Sequence, residues 1–422
     1  MFFKSFNHQF YIVLLNLFFM KQNFKKKILE NGLTLLFEKR NVPVVSCILA
    51  TKVGGIHEDL NEKGISHFIE HLLYKGTKNR TAKQIAEAFE KNGGEVNGFT
   101  SDEVTGYWCK MPSDKVKVAL EVLSDMVKNP LFDEKEIEKE RKVIFEEVKL
   151  YKDNPKMHIF NEIKKCLYGG TLSIDLIGTE KILNSLGKKE LVERFKKTYF
   201  SENLILCVVG DANFEEVVKF AEENFVKKKG NLNVKEITLK NEIKIEKRKA
   251  IDQANLVFAY HSPLPNEKDY FASEILMALM AGGMSSRLFE EIREKRNLAY
   301  SIKGDIDSNK NFCYSFIYVG TMKENVELVK KLILKEFEKV SKELSEKELN
   351  EIKIQLIGQH NISMEDSQVQ MVNLLSNEIH TKAEDFYDFE ENIKNVKLDD
   401  VKKLASKVKE GIYSFFALVP ED

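Results

Sequence analysis

The sequence predicts an α+β protein of two homologous domains, each an antiparallel-rich sheet with helices packed on it. Three observations lead there. First, 422 residues exceed what one ordinary core holds, and 43% hydrophobic against 31% charged residues, with seven prolines, describes a compact, folded chain. Second, short strand-like runs alternate with amphipathic helical patterns throughout. Third, the chain repeats itself. "FDEKEIEKERKVI", Phe132 to Ile144, aligns with "LSEKELNEIKIQL", Leu344 to Leu356, at an offset of 212 residues, and strand, long helix and helix recur in the same order.

Residues 1–20 read as an N-terminal extension, a leader or an unused start. Phe10 to Met20 is apolar but too short to span a bilayer, and no small-x-small cleavage site follows it. No stable membrane span is expected, although this apolar segment leaves a signal or an anchor as the alternative to a cytoplasmic protein.

A first domain is expected over residues 21–230. "KKILENGLTLLFEK" gives two strands around an Asn31-Gly32 turn, and "VVSCILATKVG" a third. A helix over "GISHFIEHLLYK" follows, then one from Thr81 to Lys91, stopped by Gly93-Gly94. "EVNGFTSDEVTGYWCKM" reads as a hairpin, 114–128 and 134–152 as helices, 187–199 as another, and "NLILCVVGD" as a buried strand. Residues 231–250, charged and Asn-rich, read as a linker region. Residues 251–422 form the second copy.

Net charge is -1, with 65 basic and 66 acidic residues, so no basic surface for nucleic acid is expected. Five scattered cysteines without a CxxC pair read as reduced, buried thiols of a cytoplasmic protein.

The chemistry concentrates in one helix. His67, Glu70 and His71 occupy positions i, i+3 and i+4 and project together. Two imidazoles one turn apart can reach one Zn²⁺, and the acid between them can take a proton from water. A third ligand is sought on the 134–152 helix. There Glu146 shares its stripe with lysines, whereas Glu147 shares one with Glu140, Val143 and Leu150. A carboxylate on a half-apolar stripe needs a partner, which selects Glu147 as ligand and Glu140, two turns away, as its support. Zinc suits a His₂Glu set, one ion per chain, although ligand type alone also admits Mn²⁺ or Co²⁺. The second copy carries Ile352 and Gln359 where the first has Glu140 and Glu147, and its "YFASEILMALM" helix has no histidine. It is expected to hold no metal. His57, His158, His261, His360 and His380 have no ligand-spaced partner in sequence and are read as structural or surface groups.

His67-Phe68-Ile69-Glu70-His71, followed after 75 residues by Glu147, resembles the inverted zinc motif of the pitrilysin family, which includes insulysin-type enzymes and the mitochondrial processing peptidase. "ERKVIFEEVKLYKDNP" is similar to its third-ligand helix, "YFSENLILCVVGD" to its end-of-domain strand, and "GGMSSRLFEEIREKRNLAYS" to its second-domain signature. The resemblance spans nearly all of the chain from about residue 25. It implies a zinc metalloendopeptidase hydrolysing peptides or unfolded, presequence-like segments, with Glu70 as the base and Arg293 and Tyr300 assisting catalysis. It also implies a substrate strand laid along "EVNGFTS", with Asn97, Phe99 and Thr100 as contacts. The two-domain length resembles the dimeric branch, which implies a homodimer whose active sites are shared between subunits. The rival is a non-catalytic assembly subunit of the same fold in a heterodimer or membrane complex; the intact HxxEH motif disfavours it.

Overall fold

A computed structural model describes residues 23–230, 232–409 and 411–421. The expected N-terminal extension, residues 1–20, lies outside the described residues. Among the described residues, no helix is long and apolar enough to cross a membrane.

In the first domain the strands are β1 (Phe24–Ile28), β2 (Thr34–Lys39), β3 (Val44–Thr51), β4 (Glu95–Thr100), β5 (Thr105–Pro112) and β6 (Leu204–Gly210). Its principal helices are α1 (Ile65–Leu73), α2 (Ala82–Glu90), α3 (Val116–Lys128), α4 (Glu134–Asp153), α5 (Pro155–Leu167), α6 (Lys188–Thr198) and α7 (Phe214–Asn224). The second domain holds β7 (Ile243–Arg248), β8 (Ala254–His261), β9 (Ala299–Ser308), β10 (Cys313–Thr321) and β11 (Ser414–Pro420). Its principal helices are α8 (Tyr270–Ala281), α9 (Val326–Glu343), α10 (Glu346–Ser363), α11 (Ser367–His380) and α12 (Leu398–Lys407).

The first sheet runs β1-β2-β6-β3-β5-β4 and the second β7-β11-β8-β10-β9. Without β1 the two orders correspond strand for strand, down to the single parallel pair in each, β2 with β6 and β7 with β11. The segment read as a linker therefore contains a strand of the second sheet. Its sequence, "IKIEKR", is largely exposed, so burial periodicity could not reveal it; backbone pairing with Phe415–Pro420 holds it.

β3 is apolar on both faces because both faces are covered. Val45, Cys47 and Leu49 join the core beneath α1 and α3, whereas Ile48 and Ala50 face the opposite way. The cover on that second face comes from the other domain: Met371, Leu374 and Leu375 of α11 pack on Ile48, Ile205 and Cys207. The exchange is reciprocal. Ile159, Ile163 and Leu167 of α5 pack on Val257, Ala259, Phe416 and Leu418 of the second sheet. The two exchanged helices, α5 and α11, begin at repeat-equivalent positions, so each copy lends the same element to its neighbour. A buried polar knot fastens one exchange: Glu38 accepts hydrogen bonds from Gln370 (2.7 Å), from Arg40 (2.7 Å) and from the Tyr387 hydroxyl. All five cysteines are buried free thiols.

Candidate metal centre

α1 has two faces. Ile65, Phe68, Ile69, Leu72 and Leu73 enter the core, and His67, Glu70 and His71 project the other way. Gly64 starts the helix at φ +93°, where a side chain is strained and a β-carbon would meet the Ile177 carbonyl at 2.5 Å. With no hydroxyl at the cap, the fully buried Glu58 carboxylate accepts the free N–H groups of Gly64 (3.0 Å) and Ser66 (2.8 Å). Lys63, also fully buried, lies 3.9 Å from Glu58 and balances its charge.

α4 crosses beside α1 and completes the cluster. Glu147 Oε2 lies 3.7 Å from His67 Nε2 and 3.6 Å from His71 Nε2, and one ligand atom from each of the three residues falls within 4.8 Å of the others. Ligands held at about 2.0–2.1 Å from a tetrahedral zinc stand about 3.3–3.4 Å apart. The two His–Glu separations are within a few tenths of an ångström of that, and all three atoms lie within 4.8 Å of one another, so a small contraction of the set fits it to zinc.

Glu140 stands where a supporting carboxylate should. Its Oε2 is 3.2 Å from His71 Nδ1 and its Oε1 is 2.8 Å from Lys75 Nζ. A proton on Nδ1 donated to Glu140 leaves the Nε2 lone pair of His71 for a metal. Burial opposes charging of His71, but the hydrogen bonds to Glu140 and Glu147 and the charge of Glu70 outweigh it and hold the group up at about 9. Burial and the neighbouring His71 pull His67 down to about 4, against Glu147. The hydrogen bond from His71 keeps Glu147 below the usual carboxylate range, despite burial.

Glu70 is 8% exposed and touches none of the ligand atoms closely enough to join them. Burial pushes its carboxyl up, while a 2.7 Å hydrogen bond from the Thr100 hydroxyl to Oε2 acts the other way. Thr100 thus sits at the base. Asn97 and Phe99 do not: strand alternation turns them to the opposite face, where Asn97 is exposed and caps the Gly98 N–H and Phe99 packs towards α11. β4 pairs with β5, as the hairpin reading expected, and is the edge of the sheet.

Arg293 and Tyr300 come together in the second domain. A π-helical turn, Phe289–Glu294, carries Arg293 over the Phe289 ring at 4.8 Å; Tyr300 on β9 lies against Gly320 and is half exposed. Both line an open groove of about 390 Å³ with Gly282, Gly283 and Met284, and no first-domain residue lines it. Within one chain the structure does not bring them to His67, His71 and Glu147.

On the half-apolar stripe that selected Glu147, Val143 and Leu150 are about half exposed, and the buried member is Glu140, turned in toward His71. His158, without a partner at ligand spacing, pairs with Glu246 at 3.0 Å, supplied by β7 and invisible from sequence spacing. Sequence reasoning missed Lys75 and Glu58. Lys75 was findable, since it follows His71 by one turn on the same face; Glu58 lies on a loop and left no periodic signal.

Residues 33–180 match the family described as Insulinase (Peptidase family M16), and residues 185–356 match the Peptidase M16 inactive domain. A Rickettsia felis protein named as an uncharacterized zinc protease is 34% identical over 420 residues, covering 96% of this chain and 99% of its own. A Bacillus subtilis protein named likewise is 30% identical over 361 residues, covering 84% and 88%. The crystal structure of a protease from Helicobacter pylori has the same fold, with a TM-score of 0.87 at 22% identity over 94% of this chain and 99% of that one.

Proposed function

The chain belongs to the M16 (insulinase) family of peptidases, and on that premise we propose that it is a zinc endopeptidase acting on peptides or unfolded segments. The observation that carries the proposal is the donor set: two imidazole nitrogens and one carboxylate oxygen converge within 4.8 Å of one another, with a second carboxylate, Glu70, beside them but outside the set.

His67, His71 and Glu147 would hold one zinc per chain. When bound, zinc supplies a Lewis acid that activates water and polarises the scissile carbonyl. The other roles belong to this chain's own groups. Glu70, its Oε2 tethered by Thr100, takes a proton from the attacking water and returns it to the leaving amine, and its raised proton affinity suits both transfers. Glu140 and Lys75 orient His71. The free edge of β4 accepts an extended substrate strand, which gives main-chain affinity with little sequence preference and restricts substrates to segments that can unfold. As a test, the purified protein carries one zinc per chain, a chelator abolishes cleavage, and Glu70→Gln keeps the metal but lowers kcat by at least about a hundredfold. A Glu70→Gln protein that loses its zinc contradicts the assignment of roles.

Arg293 and Tyr300 are donors for the oxyanion, supplied by a second copy of the chain in a homodimer with shared sites. Their groove in the second domain, lined by no first-domain residue, supports this reading. Mixing tests it. Glu70→Gln and Arg293→Ala chains, each nearly inactive alone, regain up to one complete site per mixed dimer if the sites are shared. No recovery means that Arg293 serves its own chain or none.

A further inference from the structure

β4 is an edge strand beside β5, so the strand that would seat substrate is held along one side. Its end is held from the other domain. The turn between β4 and β5, residues 101–104, meets the turn between β9 and β10, residues 309–312, and the two turns are equivalent in the repeat. Glu103 makes the contact. It is 3% exposed, and a buried carboxylate needs donors. Its Oε2 accepts the Lys310 N–H at 2.7 Å, and its Oε1 accepts the Asn311 N–H at 3.2 Å and the Asn311 side-chain amide at 2.6 Å. Both oxygens are thus bonded across the domain boundary. The turn behind Glu103 is closed on itself. The Ser101 hydroxyl accepts the N–H groups of Glu103 (3.3 Å) and Val104 (3.2 Å), and the Ser101 N–H donates to the Val104 carbonyl at 2.8 Å. On the first-domain side, Gly55 and Ile56 donate to the carbonyls of Ser101 (3.1 Å) and Asp102 (2.9 Å). A pull on Glu103 therefore reaches Thr100, the last residue of β4, through a hydrogen-bonded turn.

We propose that Glu103 is a positioning residue for substrate: it anchors the end of the β4 edge to the β9–β10 turn, so that the second domain steadies the strand on which substrate is laid. Without the anchor, β4 keeps its pairing with β5, but its end frays more readily. An incoming peptide must then order the strand as it binds, and that cost weakens binding. The copy without metal ligands thereby has a task at the site of its own chain.

This inference rests on β4 being the substrate edge, and its test separates the two. Asn311→Ala removes one of the three bonds at an exposed residue, and Glu103→Ala removes all three. In the zinc-loaded full-length protein, KM for a peptide that spans β4 should rise about threefold in Asn311→Ala and about tenfold in Glu103→Ala, with kcat and zinc per chain little changed. Adding Asn311→Ala to Glu103→Ala should have no further effect, because the two act through one contact. Hydrogen exchange of the Glu95–Thr100 amides should quicken in both variants, while that of α1 does not. On the native protein, the same peptide with backbone N-methyl groups cannot pair with an edge, so its KM should rise as well. If N-methylation raises KM and neither variant does, the inference is overturned and the edge reading stands. If N-methylation leaves KM unchanged, the edge reading falls and takes the substrate role of Glu103 with it. Unchanged exchange of β4 in both variants overturns the anchor, however the peptides behave.

Discussion

The two copies solve one packing problem with different chemistry. α1 and α8 both cover the inner face of a five-strand core, and α4 and α10 run behind them. α8 does so with a nearly unbroken buried run, Ala272 to Ala281 except Glu274. α1 does it while holding His67 and Glu70 at 8% exposure, and α4 adds Glu140 at 5%. At the position of Glu140 the second copy has Ile352, which lies in its apolar core and needs no partner. Glu140 needs two, His71 and Lys75. Since the second copy folds the same way without these groups, folding does not require them. A buried ionic set is at best neutral for stability compared with a well-packed apolar one. Its presence in one copy alone marks chemistry.

Moving second-copy residues into the first tests that argument. The largest effect is expected from Glu147→Gln, which installs the counterpart Gln359. An amide is a poorer zinc ligand than a carboxylate, and two histidines alone leave the site short of the three protein ligands of a catalytic zinc. The variant should lose zinc in dialysis and lose cleavage by at least about a thousandfold, while its unfolding midpoint in the metal-free state changes little. A Glu147→Gln protein that keeps its metal would remove Glu147 from the ligand set.

Glu140→Ile, which installs Ile352, comes next. His71 then loses its acceptor and Lys75 its partner, and Lys75, one-third exposed, can turn to water. Zinc affinity should fall about 10- to 100-fold in a competition titration, as for other groups that orient a ligand. The metal-free protein should be as stable as before or more so, because an ionic cluster is replaced by a residue the fold already accepts in the other copy. Weaker zinc binding with undiminished stability separates the site from the scaffold. A marked loss of stability would mean that Glu140 supports the fold itself.

The same contrast explains what could be read in advance. The repeat, the HxxEH helix and the absence of ligands from the second copy were all legible, because each is a local pattern carried by periodicity or spacing. A supporting role for Glu140 was expected from helix phase, but its partner, His71, was not, and the apolar stripe used to argue the role is about half exposed at Val143 and Leu150. The exchange of α5 and α11 was not legible. An amphipathic helix shows that it packs, not on which sheet, and the choice is made by contacts such as Leu374 against Cys207, far apart in sequence. β7 escaped for a similar reason, since it is held by backbone pairing and by long-range ion pairs such as Glu246 with His158, and not by a buried apolar stripe.

The smallest effect should come from the reverse exchange, Gln359→Glu. It restores to the second copy the acid that serves as third ligand in the first. If one carboxylate on this helix were enough to make a metal site in this fold, zinc per chain would rise from one toward two. It should not rise. α8 presents no imidazole, so the new carboxylate has no nitrogen donors to complete a set, and a lone carboxylate does not hold zinc against water. Gln359 is exposed, so the substitution should also leave the unfolding midpoint within about 0.5 kcal/mol of the native value. Metal analysis and denaturation of this one variant therefore ask whether the second copy lost its site at a single position or lacks the whole constellation. A second zinc would mean that one carboxylate is all the second copy lacks. An unchanged count places the difference in α8, where apolar side chains fill the space that His67, Glu70 and His71 occupy in α1.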